Sequence, residues 1–93
     1  MQRYIYDGPK DTANQRKHGV SFKEAETAFD DSNAVFRFDA AHSTFEDRWV
    51  VLGFSSRHRI LFVVHVRMQE NLIRIISARK ATRDEERIYA KDL

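Results

Sequence analysis

Ile73 to Thr82 reads Ile-Arg-Ile-Ile-Ser-Ala-Arg-Lys-Ala-Thr, and no other stretch of the chain carries as much chemistry. Its β-branched residues predict a strand. The strand is expected to deliver Arg79 and Lys80 at its end, just before a helix start. Guanidinium groups stay charged and match phosphate oxygens in pairs. A strand that holds such cations in place suits phosphate chemistry. Arg74 lies in this same stretch, Arg48 opens an earlier apolar run, and His65 lies inside the run between them. Imidazole changes charge between pH 5 and 8 and can serve as acid or base. The other histidines are His18, His42 and His58, and no two of the four stand one helical turn apart. A zinc site is therefore not expected.

These side chains need a sheet to place them. Arg3 to Tyr6 reads as a short strand. Asp7-Gly8-Pro9 turns into a helix with Pro in its first turn, running to about His18 and stopping at Gly19. Ser21 with Glu24 reads as a capping box. It opens a second helix whose Phe22, Ala25, Ala28 and Phe29 share one face. Strands are expected at Ala34–Phe38, Arg48–Phe54, Arg59–Arg67 and Leu72–Ala78, with a polar loop from Asp39 to Glu46. Thr82 with Glu85 is a second capping box before a final helix. Asp84, Glu85 and Glu86 give its first turn the charge that the dipole favours. The order predicts one α+β domain over residues 1–93, with a mainly antiparallel sheet of four to five strands. Two N-terminal helices cover one face, and a C-terminal helix follows.

Four-residue turns at 55–58 and 68–71 set an expected register. They pair Arg48 with His65 and His65 with Arg74. Paired residues point the same way, so Arg48, His65 and Arg74 form one row across three strands. Val50, Val63 and Ile76 form the next row. The opposite face carries Trp49, Val51, Ile60, Phe62, Val64, Val66, Ile73 and Ile75 for the two helices. A one-residue slip in either turn breaks the row. The alternative is that these are solvent-facing strand residues with no shared role.

Composition narrows the function classes. At 93 residues, with 42% hydrophobic and 32% charged residues, the chain suits one modest core. It has no cysteine, so disulfides, thiolate nucleophiles and cysteine metal sites are excluded. The longest apolar run, Ile60 to Val64, is too short to span a bilayer. The N-terminus shows no apolar signal core, and a cytoplasmic location without membrane contact is the expectation. Three scattered glycines supply neither a Walker loop nor a dinucleotide fingerprint. The net charge of +2 hides an asymmetry. Residues 48–80 carry seven Lys/Arg against one acid, whereas residues 24–47 carry one Arg against seven acids. A basic strand-rich half can steer an anion to one face. Solvated charge scattered over the surface is the simpler alternative.

Arg16-Lys17-His18-Gly19-Val20-Ser21-Phe22, followed by Glu24-Ala25, resembles the Lys-His-Gly-Val-Ser-Phe signature of the BrnT family of toxins. Tyr6-Asp7, Lys10 and Asn14 match that family's N-terminal spacing. Arg48 and Gly53 match its middle strand. Arg74-Ile75-Ile76-Ser77-Ala78-Arg79-Lys80-Ala81 resembles its most specific motif, and Glu86 and Tyr89 resemble its last helix. The resemblance implies a RelE-like ribonuclease acting as the toxin of a type II toxin–antitoxin pair. It implies an RNA substrate and a small DNA-binding antitoxin, usually ribbon-helix-helix. Promoter DNA would then be contacted only through the toxin–antitoxin complex.

RNA is cleaved without a metal or other cofactor when its own 2′-OH attacks the adjacent phosphate. The step needs a base, an acid and cations around the developing phosphorane charge. On this reading Arg48, Arg74 and Arg79 hold and neutralise the phosphate. His65 is the leading acid/base candidate, with Tyr89 or Asp47 behind it. Lys17, His18, Lys80 and Arg83 are candidate RNA contacts that position the chain without reading sequence. Each has a structural alternative. Arg79 could be a helix-flanking surface arginine, and His65 a satisfied core histidine. Lys17 and His18 could simply complement a helix dipole. Trp49 is expected to pack in the core. The competing function class is a non-catalytic binding module acting through antitoxin binding and promoter control.

Overall fold

The first helix ends where its chemistry requires. Asp7 caps it by accepting the Lys10 N–H, Pro9 lies in its first turn, and Gly19 turns left-handed at φ 69°. The computed structural model describes residues 1–91. In chain order these form β1 (Arg3–Ile5), α1 (Gly8–His18), α2 (Phe22–Ala28), β2 (Val35–Phe38), a 3-10 turn (Ala40–His42), β3 (Arg48–Phe54), β4 (Ile60–Gln69), β5 (Leu72–Lys80) and α3 (Arg83–Lys91).

The strands make one sheet in the order β1-β5-β4-β3-β2. β2 to β5 pair antiparallel, and β1 joins β5 in parallel, so the sheet is mixed. Its two faces have different covers. α1 and α2 pack on one, burying Val20, Phe22, Ala25 and Ala28 against Val51, Leu61, Val63, Ile75 and Ala78. Each large side chain so buried contributes about 1.5–3 kcal/mol. α2 approaches β3 so closely that a Cβ on Gly53 would lie 2.3 Å from the Ala28 carbonyl oxygen. Asn14 ties α1 to the sheet from within this layer. Its amide donates to the Val20 and Ala78 carbonyls and accepts the Ala78 N–H. α3 covers one end of the other face, where Tyr89 packs with Val35 and Leu52.

Only one of the expected capping boxes closes. Thr82 and Glu85 exchange both hydrogen bonds. Ser21 caps α2, but the Glu24 side chain turns inward to Arg59 and Ser55. There an arginine offers two charge-assisted bonds, more than the cap's single N–H can supply.

The expected register fails in both hairpins, by one residue between β3 and β4 and by one or two along β4 and β5. Phe54 pairs with Ile60 across a five-residue loop, with His58 at φ 62°, so Trp49 rather than Arg48 faces His65. The β4–β5 turn is only Glu70-Asn71, and irregularities between Arg67 and Gln69 and between Val64 and His65 reset the pairing. His65 faces Ile75, and Val66 stands between Arg48 and Arg74. Because side chains alternate, this moves His65 to the helix-covered face. It moves Ile60, Phe62, Val64 and Val66 to the opposite face. Both arginines shift by the same single residue relative to β4, so they stay in one row.

Candidate active site

The face that α1 and α2 leave uncovered carries the arginines. Arg48 on β3 and Arg74 on β5 flank Val66 at one end. Arg79 on β5 pairs with Phe62 in the row of Leu52, about 14 Å away at ~3.4 Å per strand residue. Val50, Val64 and Ser77 form the floor between them. Arg37 on β2 pairs with Val50 and so points to the same side.

Carboxylates hold Arg74 and Arg79 in position. Arg74 Nη2 donates to both Glu46 oxygens, at 2.6 and 2.7 Å, and Arg48 Nε lies 3.8 Å from the same carboxylate. Glu46 comes from the 39–47 loop, which Ser43 ties down. The Ser43 hydroxyl accepts the Arg48 N–H and donates to the Asp39 carbonyl. Arg79 lies over the Phe62 ring, 3.9 Å from its centroid, and forks onto Glu85 at 2.8 and 2.9 Å. That fork holds the Glu85 carboxyl below the usual carboxylate range, against the opposing effect of burial. Arg79 also rises, chiefly through its hydrogen bonds to Glu85. Glu85 therefore caps α3 and fixes Arg79 at once.

Two recesses open on this side. A groove of about 350 Å³ has Val50, Leu52 and Phe62 as its base, with Arg37, His42 and Glu85 among its walls. A recess of about 230 Å³ is lined by Lys10, Glu46, Arg48 and Arg74. The combination is a concave apolar floor edged by cations, of which Arg74 and Arg79 are placed where an entering phosphate could exchange with a carboxylate. Such a surface suits a phosphodiester whose charge grows during reaction.

Of the expected catalytic residues, Arg48, Arg74 and Arg79 share this face. His65 does not. It is fully buried among the helix-side residues, its Nδ1 bonds the Val63 carbonyl, and its ring packs edge-on to Phe29 at 4.8 Å. Burial lowers its pKa to about 4, so at neutral pH it is an uncharged core residue. Tyr89 is also buried, and its hydroxyl donates to Asp31 at 2.5 Å. Burial, then that carboxylate, pushes it up to about 12, and it serves to anchor α3. Lys17 and His18 end α1, behind the sheet. Lys80 pairs with Leu61 and so points to the helix-covered side, and Arg83 is exposed in the first turn of α3. None of these four lines the groove or the recess. Trp49 is half-buried, with the Arg67 guanidinium 4.4 Å from its ring.

The sequence reasoning missed Glu46, His42 and Arg37. Glu46 and His42 lie on a polar loop whose path no periodicity reports. Arg37 could have been found from its alternation with Phe36 and Phe38, once β2 was assigned to the sheet.

The family model for BrnT, the ribonuclease toxin of a type II toxin–antitoxin system, matches residues 6–85. The chain belongs to the BrnT family. The crystal structure of the Brucella abortus ribonuclease toxin BrnT superposes with a TM-score of 0.69 at 25% identity, covering 89% of this chain and all of that one. No curated protein sequence matches the chain. BrnT membership makes this a ribonuclease toxin family, with a protein antitoxin as the implied partner. No described helix of this BrnT chain is long and apolar enough to cross a membrane.

Proposed function

We propose that this chain is an endoribonuclease that cleaves RNA on the arginine-ringed face without a metal ion. The carrying observation is the convergence of Arg48, Arg74 and Arg79 on one open side of the sheet. Arg79, held over Phe62 and against Glu85 beside the groove, takes the scissile phosphate. Arg74 and Arg48 give up Glu46 to grip a neighbouring phosphate. The RNA 2′-oxygen attacks phosphorus, the bond to the 5′-oxygen breaks, and the guanidiniums neutralise the charge that develops. The arginines thus supply the positive charge that a metal would otherwise provide. His65 and Tyr89 take no part.

Cleavage of cellular RNA inhibits translation and growth in the cytoplasm. A ribbon-helix-helix antitoxin covers the basic face, and that complex alone contacts promoter DNA. Complementary charge on the antitoxin would speed its encounter. The test is incubation of purified protein with RNA in excess chelator. Fragments ending in 2′,3′-cyclic phosphate are expected. A folded protein that leaves RNA intact refutes the reading and favours the non-catalytic binding module.

A further inference from the structure

A histidine stands on the groove's wall with one nitrogen held and the other free to act. His42 lies on the 3-10 turn, with its side chain 70% exposed. Its Nδ1 lies 2.9 and 3.1 Å from the Asp39 carboxylate oxygens. A carboxylate there accepts, so Nδ1 donates, and in the neutral tautomer that leaves the lone pair on Nε2. Both residues line the groove together with Arg37, Val50, Phe62 and Glu85. The loop that carries them is anchored twice. Ser43 bonds it to the start of β3, and Glu46 bonds it to Arg74. His42 and the phosphate-gripping Arg74 are therefore mechanically linked through one short segment.

We propose that His42, oriented by Asp39, is the general base of the cleavage reaction. This rests on the ribonuclease reading above. Nε2 takes the proton from the ribose 2′-hydroxyl as the O2′–P bond forms and the P–O5′ bond breaks. The departing 5′-oxygen takes a proton from solvent water, and His42 later returns its own to solvent. The products are a 2′,3′-cyclic phosphate and a 5′-hydroxyl. Three groups face His42 in the groove: Asp39 on its own segment, Arg37 on β2 and Glu85 on α3. A base must be neutral to act, so protonation of His42 stops the reaction.

The test uses a labelled oligoribonucleotide of mixed sequence and its 2′-O-methyl counterpart, which binds but cannot react. Wild type, His42→Gln and His42→Ala are compared for kcat/KM from pH 5 to 9, with circular dichroism to verify folding. The expected result is a loss of about 100-fold or more at pH 7. The acidic limb of the wild-type profile disappears, and affinity for the 2′-O-methyl strand is unchanged. Asp39→Asn, a positioning change, should lower kcat without raising KM. If wild type cleaves and His42→Gln stays within threefold of it with the same pH profile, the inference fails while the ribonuclease reading stands. A loss fully matched by weaker binding also overturns it, because His42 would then be a binding group. A folded wild type that cuts nothing overturns both.

Discussion

Replacing Arg74 with alanine should separate a phosphate-gripping arginine from a surface one. In the free protein Arg74 bonds Glu46, and both side chains are about one-third exposed, at 37% and 33%. A pair so open to solvent contributes roughly 0–1 kcal/mol to stability, so Arg74→Ala should fold normally. With RNA bound, the same guanidinium faces a singly charged backbone phosphate. A unit charge at 4 Å in an effective dielectric of about 20 gives ~4 kcal/mol, and discounting for exposure leaves roughly 2–3 kcal/mol. At 1.4 kcal/mol per tenfold, kcat/KM should fall about 30- to 150-fold. Arg48 shares the Glu46 carboxylate and the same cross-strand row, so the double variant should be less impaired than the product of the two single effects predicts. The salt dependence offers a second reading. Losing one phosphate contact to a single strand should flatten the slope of log K against log salt by about 0.7. The assay is cleavage of a fluorogenic RNA at several salt concentrations, with thermal melting alongside. An Arg74→Ala protein with wild-type melting and cleavage within threefold of wild type would refute the argument.

The buried polar network gives larger stability effects with no change at the site. Glu24, 6% exposed, is held below the usual carboxylate range mainly by hydrogen bonds from Arg59. Arg59→Ala strands that carboxylate and should cost about 3–5 kcal/mol in urea unfolding. Because the folded pKa is depressed, the Glu24 contribution is present above the unfolded carboxylate pKa. It is lost as pH falls through the lower folded value, and Arg59→Ala should remove that dependence. His65 gives the opposite test of its expected role. Its pKa of about 4 lies below that of an unfolded histidine, so the unfolded state binds the proton more readily. Its contribution is full above about pH 6.5 and declines towards pH 4, by roughly 3 kcal/mol. His65→Leu should flatten that limb of the unfolding curve and leave RNA cleavage within threefold; a large loss of cleavage with intact folding would restore His65 to the site. Gly53→Ala places a methyl 2.3 Å from the Ala28 carbonyl oxygen and should destabilise by at least ~2 kcal/mol in thermal melting, with normal stability counting against the close packing of α2 on β3.

Element positions were legible because they rest on local chemistry: a turn with Pro at Asp7-Gly8-Pro9, caps at Ser21 and Thr82, a left-handed glycine at Gly19, and apolar alternation along the strands. Register was not, because it rests on loop lengths that the pattern does not report. The slip at 55–59 sent His65 from the basic face into the core, and with it the expected base. The arginines share one face for a reason that the sequence does not disclose. Arg74 and Arg79 are five residues apart, an odd interval that places them on opposite faces of a regular strand. The pairing of Val64 with Ser77 and of His65 with Ile75 leaves Ile76 as an extra residue in β5. That bulge resets the alternation, so Arg74, Ser77 and Arg79 all point to the open side. The same bulge turns Ala78 inward, where Asn14 satisfies both its N–H and its carbonyl. One inserted residue therefore gathers the cations on one face, and a buried amide from α1 bonds the strand just beyond it. The most chemical stretch of the chain gathers its arginines on one face because its strand is irregular, which is the property that alternation-based reasoning is least able to see.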